Sequence, residues 1–422
     1  MANEIPILTT TAELGDLCAR LAGAPYVTVD TEFMRETTFW PKLCLVQLAG
    51  PSDETVIDPL APGIDLAPLL GLMADERVLK VFHSARQDVE IMVQLSGRVP
   101  KPLFDTQVAA MVCGFGDQVS YDTLVARLTH KHVDKSSRFT DWSHRPLSER
   151  QVAYALADVT HLRVVYEKLA QRVEENGRTA WLAQEMAVLT DMASYVTAPE
   201  ESWRRLKSRS GDRRFLAVLR EVAAFREREA RTRNLPRNRV VRDEALMEIA
   251  AHHPRTTAEL TRTRGLSKGL AEGAIGQGLL AAVARGLALP EGDCPEAAPR
   301  PAGGAPGALV DLLKVLLKHK CDEHHVAQRL VATSADLDRL AAEDDPDVPV
   351  LRGWRREVFG EAALALKQGR LALGSGGHRV VLIEVADGIP LGVAETPRTA
   401  SSGRRRRRRK PRPAEGAVEP AS

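Results

Sequence analysis

The order of strand-like and helical segments is the feature that most limits the fold of this chain. Across the first 200 of its 422 residues, short apolar segments alternate with helical patterns, which is typical of an α/β domain. Strand patterns then stop at about residue 211 and two helical stretches follow, with one further strand possible at 380–385. The sequence therefore predicts an α/β domain followed by two all-α domains.

Four segments of the first part have the apolar and β-branched composition of strands: residues 26–33, 43–49, 55–58 and 78–83. Turn-forming residues between the first three, including Pro41 and Gly50, indicate an antiparallel meander. The fourth segment follows a helical pattern near 66–74, as a parallel strand does. We expect a mixed sheet covered by helices, and the helices are predicted at 84–95, 106–112, 121–128 and 148–175.

The formal net charge of +2 hides a strong separation of charge along the chain. Residues 397–422 hold nine basic and two acidic residues, and residues 201–242 hold fourteen basic and five acidic ones. The rest of the chain is acidic as a consequence. This separation predicts basic surfaces for a polyanion, apart from a chemical centre built from carboxylates.

Asp30 and Glu32 stand two residues apart in the first predicted strand. Because side chains alternate along a strand, both carboxylates fall on the same face. The neighbours Val27, Val29 and Phe33 are apolar. Two adjacent anions there repel each other unless a cation lies between them, so a divalent metal explains the pair. The alternative is a strand that ends in solvent at Asp30, with Glu32 in the following turn.

Two more carboxylates occur in helical segments. Asp88 follows the fourth strand in the first turns of a helix, where an Asp can also simply complement the helix dipole. Asp158 lies in the middle of the last predicted helix of this domain, four residues after Tyr154, so these two side chains share a face. Its neighbours are apolar, and an Asp is unfavourable in a helix interior. Another interaction must therefore offset the free-energy cost of burying the Asp158 carboxylate.

Phosphodiester hydrolysis by two magnesium-class ions about 4 Å apart uses carboxylates to hold the ions. The order Asp-x-Glu, then Asp, then Tyr-x-x-x-Asp supplies four carboxylates for that purpose. The segments VDTEF (29–33), HSARQD (83–88) and YALAD (154–158) resemble, in order and spacing, the three motifs of the DEDD superfamily of 3′→5′ exonucleases. The fold of that superfamily is related to ribonuclease H. Its third motif has a His or a Tyr before the last Asp. Ala153 stands where the His version needs its imidazole, and Tyr154 matches the Tyr version.

The resemblance extends beyond the motifs, over roughly residues 5–370. Segments 103–110 and 140–159 and the region around Trp203 are similar to the ribonuclease D family, and residues 234–237 resemble the beginning of a helicase and RNase D C-terminal (HRDC) domain. Together with the composition, the resemblance implies the following order: an exonuclease domain at 1–175, a helical connector at 176–210, an HRDC domain at 211–290, a linker at 291–306, a second HRDC-like domain at 307–373, a C-terminal extension at 374–396 and a disordered Arg-rich tail at 397–422.

The family resemblance implies a metal-dependent 3′→5′ exoribonuclease that releases 5′-mononucleotides. Asp30, Glu32, Asp88 and Asp158 would hold two Mg²⁺ or Mn²⁺ ions, and Tyr154 would orient the attacking water. A phenol with a pKa of about 10 is a poor base at neutral pH, which leaves deprotonation chiefly to the metal. The implied partners are RNAs, chiefly the 3′ ends of transfer RNA precursors.

A further set of residues is expected to contact nucleic acid. Aromatic side chains near the motifs can stack on the terminal base, and basic side chains can pair with phosphates. The alternatives are core positions for the aromatic residues, a surface position for Arg145 and a merely solvated face for the basic cluster after Trp203. The candidates are Phe33, Trp142, Arg145, Arg204, Arg205, Lys207, Arg404, Arg405 and Arg406.

Two other functions are compatible with the residues. The carboxylate spacing does not choose the sugar, so a DNA-directed 3′→5′ exonuclease of the same superfamily is the nearest rival. The other is a nonenzymatic nucleic-acid binding protein that uses the helical domains and the Arg tail. Five cysteines spaced 26 or more residues apart indicate neither a disulfide framework nor a Cys-x-x-Cys metal site, and no signal peptide or membrane span is readable. We therefore expect a monomeric cytoplasmic protein.

Overall fold

A computed structural model describes residues 7–134, 136–208, 210–296 and 307–385 of the chain. Most of the predicted linker and all of the predicted Arg-rich tail, with Arg404, Arg405 and Arg406, lie outside these residues. Among the helices of the described ranges, none combines the length and the apolarity needed to cross a membrane.

A six-stranded mixed sheet lies at the centre of the first part of the chain. Its strands are β1 (Ile7–Leu8), β2 (Tyr26–Met34), β3 (Lys42–Ala49), β4 (Glu54–Ile57), β5 (Leu79–Phe82) and β6 (Leu103–Asp105). Their spatial order is β1-β4-β3-β2-β5-β6. The strands β2, β3 and β4 are antiparallel neighbours, and β5 pairs in parallel with β2. The predicted meander and the parallel fourth strand are confirmed, whereas β1 and β6 are too short to show a pattern in the sequence.

Seven helices of the described residues accompany the sheet. They are α1 (Thr11–Leu21), α2 (Ala67–Ala74), α3 (Arg86–Ser96), α4 (Thr106–Val112), α5 (Tyr121–Thr129), α6 (Glu149–Glu175) and α7 (Thr179–Leu189). The sequence analysis missed α1, although Thr10 and Glu13 form a capping box at its start. At the start of α4 the Asp105 carboxylate accepts from the backbone N–H groups of Gln107 and Val108, which is a normal helix cap.

The long helix α6 packs against the sheet and carries part of the third motif. It begins at a capping box formed by Ser148 and Gln151 and ends before Gly177, whose φ is +66°. Side chains at helical spacing, including Val152, Val159 and Leu169, are buried. The face that points to the sheet therefore fixes the rotation of α6, and with it the direction of Asp158.

The first helical module follows a connector that contains short 3-10 helices at Met192–Ser194 and Pro199–Arg205. Its helices are α8 (Arg213–Thr232), α9 (Arg237–Val240), α10 (Asp243–His252), α11 (Thr257–Leu260), α12 (Lys268–Glu272) and α13 (Ala274–Ala288). α8 and α13 cross closely: a Cβ added to Gly286 would lie 2.6 Å from the Cα of Val218. A larger residue at Gly286 would push the two helices apart.

Phe39, in the loop between β2 and β3, joins the sheet to the first helical module. The guanidinium groups of Arg237 and Arg231 lie 4.5 Å and 5.8 Å from the centre of its ring. Both guanidinium groups also pair with Glu227, whose side chain is only 1% exposed. The backbone N–H of the next residue in the loop donates to the Asn234 side chain at 3.0 Å. The loop after β2 is therefore held by the helical module.

The second helical module contains α14 (Gly307–His324), α15 (Gln328–Val331), α16 (Ser334–Ala342), α17 (Gly353–Arg355) and α18 (Glu361–Lys367), with a π-helical turn at Arg356–Gly360. A hairpin of two antiparallel strands follows, β7 (Leu371–Gly376) and β8 (Arg379–Glu384). The sequence analysis extended the helical region to residue 373 and expected one strand. Strand β7 escaped notice because glycine and serine make up half of it, and glycine is depleted in strands.

The second helical module packs against α7. The rings of Trp181 and Trp354 are stacked, with centroids 4.6 Å apart and an interplanar angle of 13°. Nearby, the Glu185 carboxylate accepts from the indole N–H of Trp354 and from the Arg355 guanidinium. Apolar stacking and buried charge-assisted bonds together attach this module to the part of the chain that contains the six-stranded sheet.

Arg145 connects the loop before α6 to the sheet. Its guanidinium donates to both oxygens of Asp58, at 2.8 Å and 2.7 Å, and to the carbonyl oxygens of Cys44 and Trp142, each at 2.7 Å. Burial alone would raise the pKa of Asp58, but the bonds from Arg145 outweigh it and leave the pKa below its ordinary value. The ion pair therefore stabilises the fold at neutral pH.

Replacing Arg145 with Met is expected to destabilise the protein by about 2–3 kcal/mol, because Asp58 would lose its partner while staying mostly buried. Urea denaturation of the wild-type chain and the variant measures the difference. The control is Arg77→Ala, which removes an ion pair whose arginine is 79% exposed and should leave the free energy of unfolding close to that of the wild type. A change within about 0.5 kcal/mol for Arg145→Met would contradict the assigned role.

Candidate active site

Three of the predicted carboxylates form a cluster. Strand β2 supplies Asp30 and Glu32, and α6 supplies Asp158. Their ligand oxygens all lie within 4.8 Å of one another. The spacing of two residues in the strand therefore brings Asp30 and Glu32 together as the sequence predicts, and α6 adds the third carboxylate from the helical layer.

Asp88, the fourth predicted carboxylate, lies in the first turn of α3 and is 6% exposed. It lines the same cavity as the cluster but is not one of the three residues whose ligand oxygens lie within 4.8 Å of one another. The hydroxyl of Thr31 donates to its carboxylate at 2.5 Å. Asp88 is thus a neighbour of the cluster, oriented by a residue that stands between Asp30 and Glu32 in the sequence.

Burial and mutual repulsion disfavour the ionised form of each carboxylate. Burial raises the pKa of Glu32 to about 9, and the charges of Asp30 and Asp158 add to the rise. Burial raises the pKa of Asp158 to about 7, although Tyr154 and Arg138 oppose it. The pKa values of Asp30 and Asp88 also lie well above their ordinary range, because of burial first and a neighbouring carboxylate second.

The donor set of the cluster fits a hard divalent cation. Asp30, Glu32 and Asp158 offer only carboxylate oxygens, which are the ligands that Mg²⁺ and Mn²⁺ prefer over soft metals. A bound cation would also offset the repulsion that raises the pKa values of these groups. The residues present therefore suit a divalent metal both in chemistry and in charge.

Tyr154 shares the face of α6 with Asp158, and its hydroxyl lies close enough to the Asp158 carboxylate to oppose the rise in the pKa of that group. Burial raises the pKa of Tyr154 above its ordinary value, with further contributions from the charges of Asp158 and Glu32. The phenol is therefore protonated throughout the neutral range and can hold a water molecule but cannot remove its proton.

Two contacts that the sequence analysis missed fix α6 at Asp158. The hydroxyl of Tyr121, the first residue of α5, donates to the backbone carbonyl of Asp158 at 2.5 Å. The buried hydroxyl of Thr28, in β2, donates to the carbonyl of Val159 at 2.9 Å. These residues lie 37 and 131 positions from their partners, so no local pattern in the sequence could reveal them.

The carboxylates open into a cavity of about 550 Å³. Its lining includes Arg138 and Phe139, in the loop before α6, and Phe139 is 90% exposed. The Arg138 guanidinium lies close enough to lower the pKa values of Glu32 and Asp158, against the larger effect of burial. Neither residue was predicted from the sequence, although an adjacent Arg and Phe in an otherwise polar stretch was a usable signal.

The predicted nucleic-acid contacts near the motifs have different outcomes. Phe33 is partly buried and lines the cavity. Trp142 is 2% exposed and packs in a small core with Val152 and Leu156. Arg145 is paired with Asp58, as described above. The alternative of a core position therefore describes Trp142, whereas Arg145 is half-buried in an ion pair and is not the surface residue that its alternative predicted. The cavity wall is formed by other side chains of their loop.

The predicted basic contacts Arg204, Arg205 and Lys207 are exposed at the surface. Arg204 pairs with Glu201 and lies over the Trp203 ring, 4.9 Å from its centre. Arg205 donates to the Thr197 hydroxyl, and Lys207 is exposed. Arg205 also lines the cleft between the exonuclease part and the first helical module. These positions leave basic groups accessible beside that junction.

Comparison with known proteins agrees with this site. Residues 5–174 match the family of 3′–5′ exonuclease domains, and residues 215–283 match the HRDC domain. The chain is 57% identical over 375 residues to a ribonuclease D of Gluconacetobacter diazotrophicus, which covers 89% of this chain and 95% of that one. It is 55% identical over 380 residues to a ribonuclease D of Granulibacter bethesdensis, covering 89% of this chain and 96% of that one.

The crystal structure of Escherichia coli RNase D, an exoribonuclease involved in structured RNA processing, has the same architecture. The two structures share a TM-score of 0.75 and 31% sequence identity, covering 87% of this chain and 99% of the other. The chain therefore belongs to the ribonuclease D family and is a 3′→5′ exoribonuclease.

Proposed function

We propose that the chain removes 3′-terminal nucleotides from RNA as 5′-monophosphates, with two Mg²⁺ or Mn²⁺ ions held by Asp30, Glu32, Asp88 and Asp158. The observation that carries this proposal is the cluster of three carboxylates in one cavity, with Asp88 beside it. Such ions, when bound, activate water and stabilise the leaving oxygen of the phosphodiester. The remaining chemistry belongs to side chains of the cavity wall.

Tyr154 and Arg138 have separate roles in this proposal. The Tyr154 hydroxyl, which lines the cavity beside Asp158, orients the attacking water without taking its proton. Arg138 is the cation whose charge reaches Glu32 and Asp158, so it suits the negative charge of the phosphate that is being cleaved. The exposed ring of Phe139 suits stacking on the terminal base.

As substrates we propose the 3′ ends of transfer RNA precursors. Support comes from the ribonuclease D relatives and from the E. coli enzyme, whose structure is described as that of an exoribonuclease for structured RNA. The exposed Arg204, Arg205 and Lys207 lie beside the junction with the first helical module and would bind phosphates upstream of the 3′ end. The Arg-rich tail would add nonspecific, salt-dependent affinity.

The wider organisation is part of the proposal. We propose the domain boundaries given above, with the second helical module as an HRDC-like domain of similar size to the first. We also propose a monomer in the cytoplasm. The five cysteines are all free, which suits a reducing compartment.

The experiment that tests the proposed function uses 5′-labelled transfer RNA with a 3′ extension, with and without EDTA. Stepwise shortening that requires metal is the expected result. Stepwise shortening of single-stranded DNA at an equal rate would favour the DNA-directed exonuclease instead. A mobility shift without any shortening would favour a binding protein.

Replacing Asp158 with Asn is expected to lower nucleotide release by more than about 100-fold, since even the loss of an outer partner of a metal site costs about 10–100-fold. The fold should persist because the amide has the same shape. Circular dichroism checks the fold, and release of labelled nucleotide measures activity. The matched control is Glu174→Gln, an exposed carboxylate on the same helix, which should retain full activity. Substantial activity in Asp158→Asn would remove Asp158 from the site.

Without metal, the stability of the exonuclease part is expected to fall as the pH rises. The pKa of Glu32 rises from 4.5 when unfolded to about 9 when folded, and that of Asp158 rises from 3.8 to about 7. A group with a raised pKa stabilises the fold below its unfolded pKa and loses that contribution as the pH passes through the folded value. In EDTA the Tm should therefore drop between about pH 5 and pH 9.

Two comparisons check this pH dependence. Excess Mg²⁺ should flatten the dependence, because the cation replaces the proton as the partner of the carboxylates. Glu32→Gln should also reduce the slope in EDTA, whereas Glu174→Gln should not. A Tm in EDTA that rises with pH over the same range would show that ionisation of the buried carboxylates does not destabilise the fold.

A further inference from the structure

The loop between α4 and α5, residues 113–120, forms part of the wall of the catalytic cavity. Its residues Gln118 and Ser120 line the cavity. Gln118 has a φ of +48°, a left-handed conformation that is uncommon for a residue other than glycine. Such a conformation persists only where surrounding contacts hold it. The left-handed backbone of Gln118 therefore requires contacts from neighbouring residues.

The contacts come from the second helical module. Arg329, in α15, donates through its backbone N–H to the Asp117 carboxylate at 3.1 Å and through its guanidinium to the Gln118 Oε1 at 2.7 Å. A guanidinium has donors only. The amide oxygen of Gln118 must therefore face Arg329, which leaves its NH₂ group on the side of the amide that the guanidinium does not occupy.

The end of α4, directly before this loop, is also held by this module. The backbone N–H of Ala327 donates to the Met111 carbonyl at 3.0 Å. The guanidinium of Arg178, the residue before α7, bridges the carbonyl oxygens of Val112 and His325, at 2.6 Å and 2.9 Å. A Cβ added to Gly114 would lie 2.5 Å from the His325 carbonyl oxygen. The loop and the module are thus in direct backbone contact.

The end of the loop leads to the catalytic helix. The chain passes from Gln118 to Tyr121, whose hydroxyl donates to the backbone carbonyl of Asp158. Val119, between them, is 9% exposed and its carbonyl accepts from the Gln107 side chain at 3.4 Å. Arg329 therefore holds the loop three residues before the contact that orients a catalytic carboxylate.

We propose that Arg329 is a positioning residue of the exonuclease reaction. It holds the Gln118 amide so that the NH₂ group of Gln118 donates to an oxygen of the bound 3′-terminal nucleotide. This inference rests on the proposed function. Through the Arg329 guanidinium, the second helical module takes part in the wall of the catalytic site. This role is separate from any contact of that module with RNA farther from the 3′ end.

The test measures RNA affinity and turnover in variants of the full chain. Affinity is measured in the Asp158→Asn background by fluorescence anisotropy of a short labelled oligoribonucleotide with Mg²⁺. KM and kcat are measured in the active background. Arg329→Ala and Gln118→Ala should each raise Kd and KM by about 3- to 10-fold, the range of one hydrogen bond, with a smaller change in kcat. The double variant should be no weaker than either single variant.

Two controls separate positioning from damage to the module. Arg352→Ala removes an exposed ion pair with Asp347 in the same module and should leave Kd and KM unchanged. Arg329→Lys keeps one donor and should fall between the wild type and Arg329→Ala. Gln118→Ala changes no residue of the second helical module. Its effect on Kd and KM therefore tests the role of the Gln118 amide even if Arg329→Ala lowers the Tm.

The outcomes that overturn the inference are distinct from a failure of the proposed function. Wild-type Kd and KM in Arg329→Ala or in Gln118→Ala, or single effects that multiply in the double variant, would show that the two residues do not act as a unit on the substrate. A wild-type chain that does not shorten RNA would refute the proposed function, while the anisotropy comparison would still decide whether Arg329 and Gln118 act together.

Discussion

The repulsion among Asp30, Glu32 and Asp158 is the constraint on which the rest of the structure depends. Two of these carboxylates are partly buried and the third is 8% exposed, and all three lie within reach of one small cation. Without a cation, such a group shifts its pKa or moves apart from its neighbours. The fold must therefore supply enough stability elsewhere to hold the three together before any metal binds.

That stability comes from contacts that fix α6 on the sheet. Thr28 and Tyr121 bind backbone carbonyls of α6 at and beside Asp158. Arg145 ties the loop before α6 to Asp58, and the capping box at Ser148 fixes the first turn. Together they prevent the helix from turning to relieve the repulsion.

Much of this could be predicted from local patterns, and the remainder could not for a physical reason. The period of two in β2 placed Asp30 and Glu32 on one face, and the period of the helix placed Tyr154 beside Asp158. Those relations need only a few neighbouring residues. The pair of Arg145 and Asp58 is separated by 87 positions, so its partner is chosen by the fold.

The same distinction between local patterns and contacts made by the fold explains why Trp142 was a candidate for nucleic-acid binding. Trp142 looks equally suited to a terminal base and to a core, and only its packing against α6 decides in favour of the core. Phe139, three positions earlier, is exposed on the cavity. From the sequence, only Trp142 of this loop was a candidate for stacking on a base; the structure buries it, and Phe139 lines the cavity instead. Hydrophobicity alone cannot separate them, because both roles use the same kind of side chain.

The attachment of Phe39 to Arg231 and Arg237 has a consequence for how the enzyme is built. Strand β2 carries Asp30 and Glu32, and the chain reaches Phe39 seven residues after Glu32. The HRDC domain contacts that loop through Arg231 and Arg237, which both pair with the buried Glu227. The Phe39 loop therefore links the strand that carries Asp30 and Glu32 to the HRDC domain, so a displacement of that domain would be transmitted to the loop next to these carboxylates.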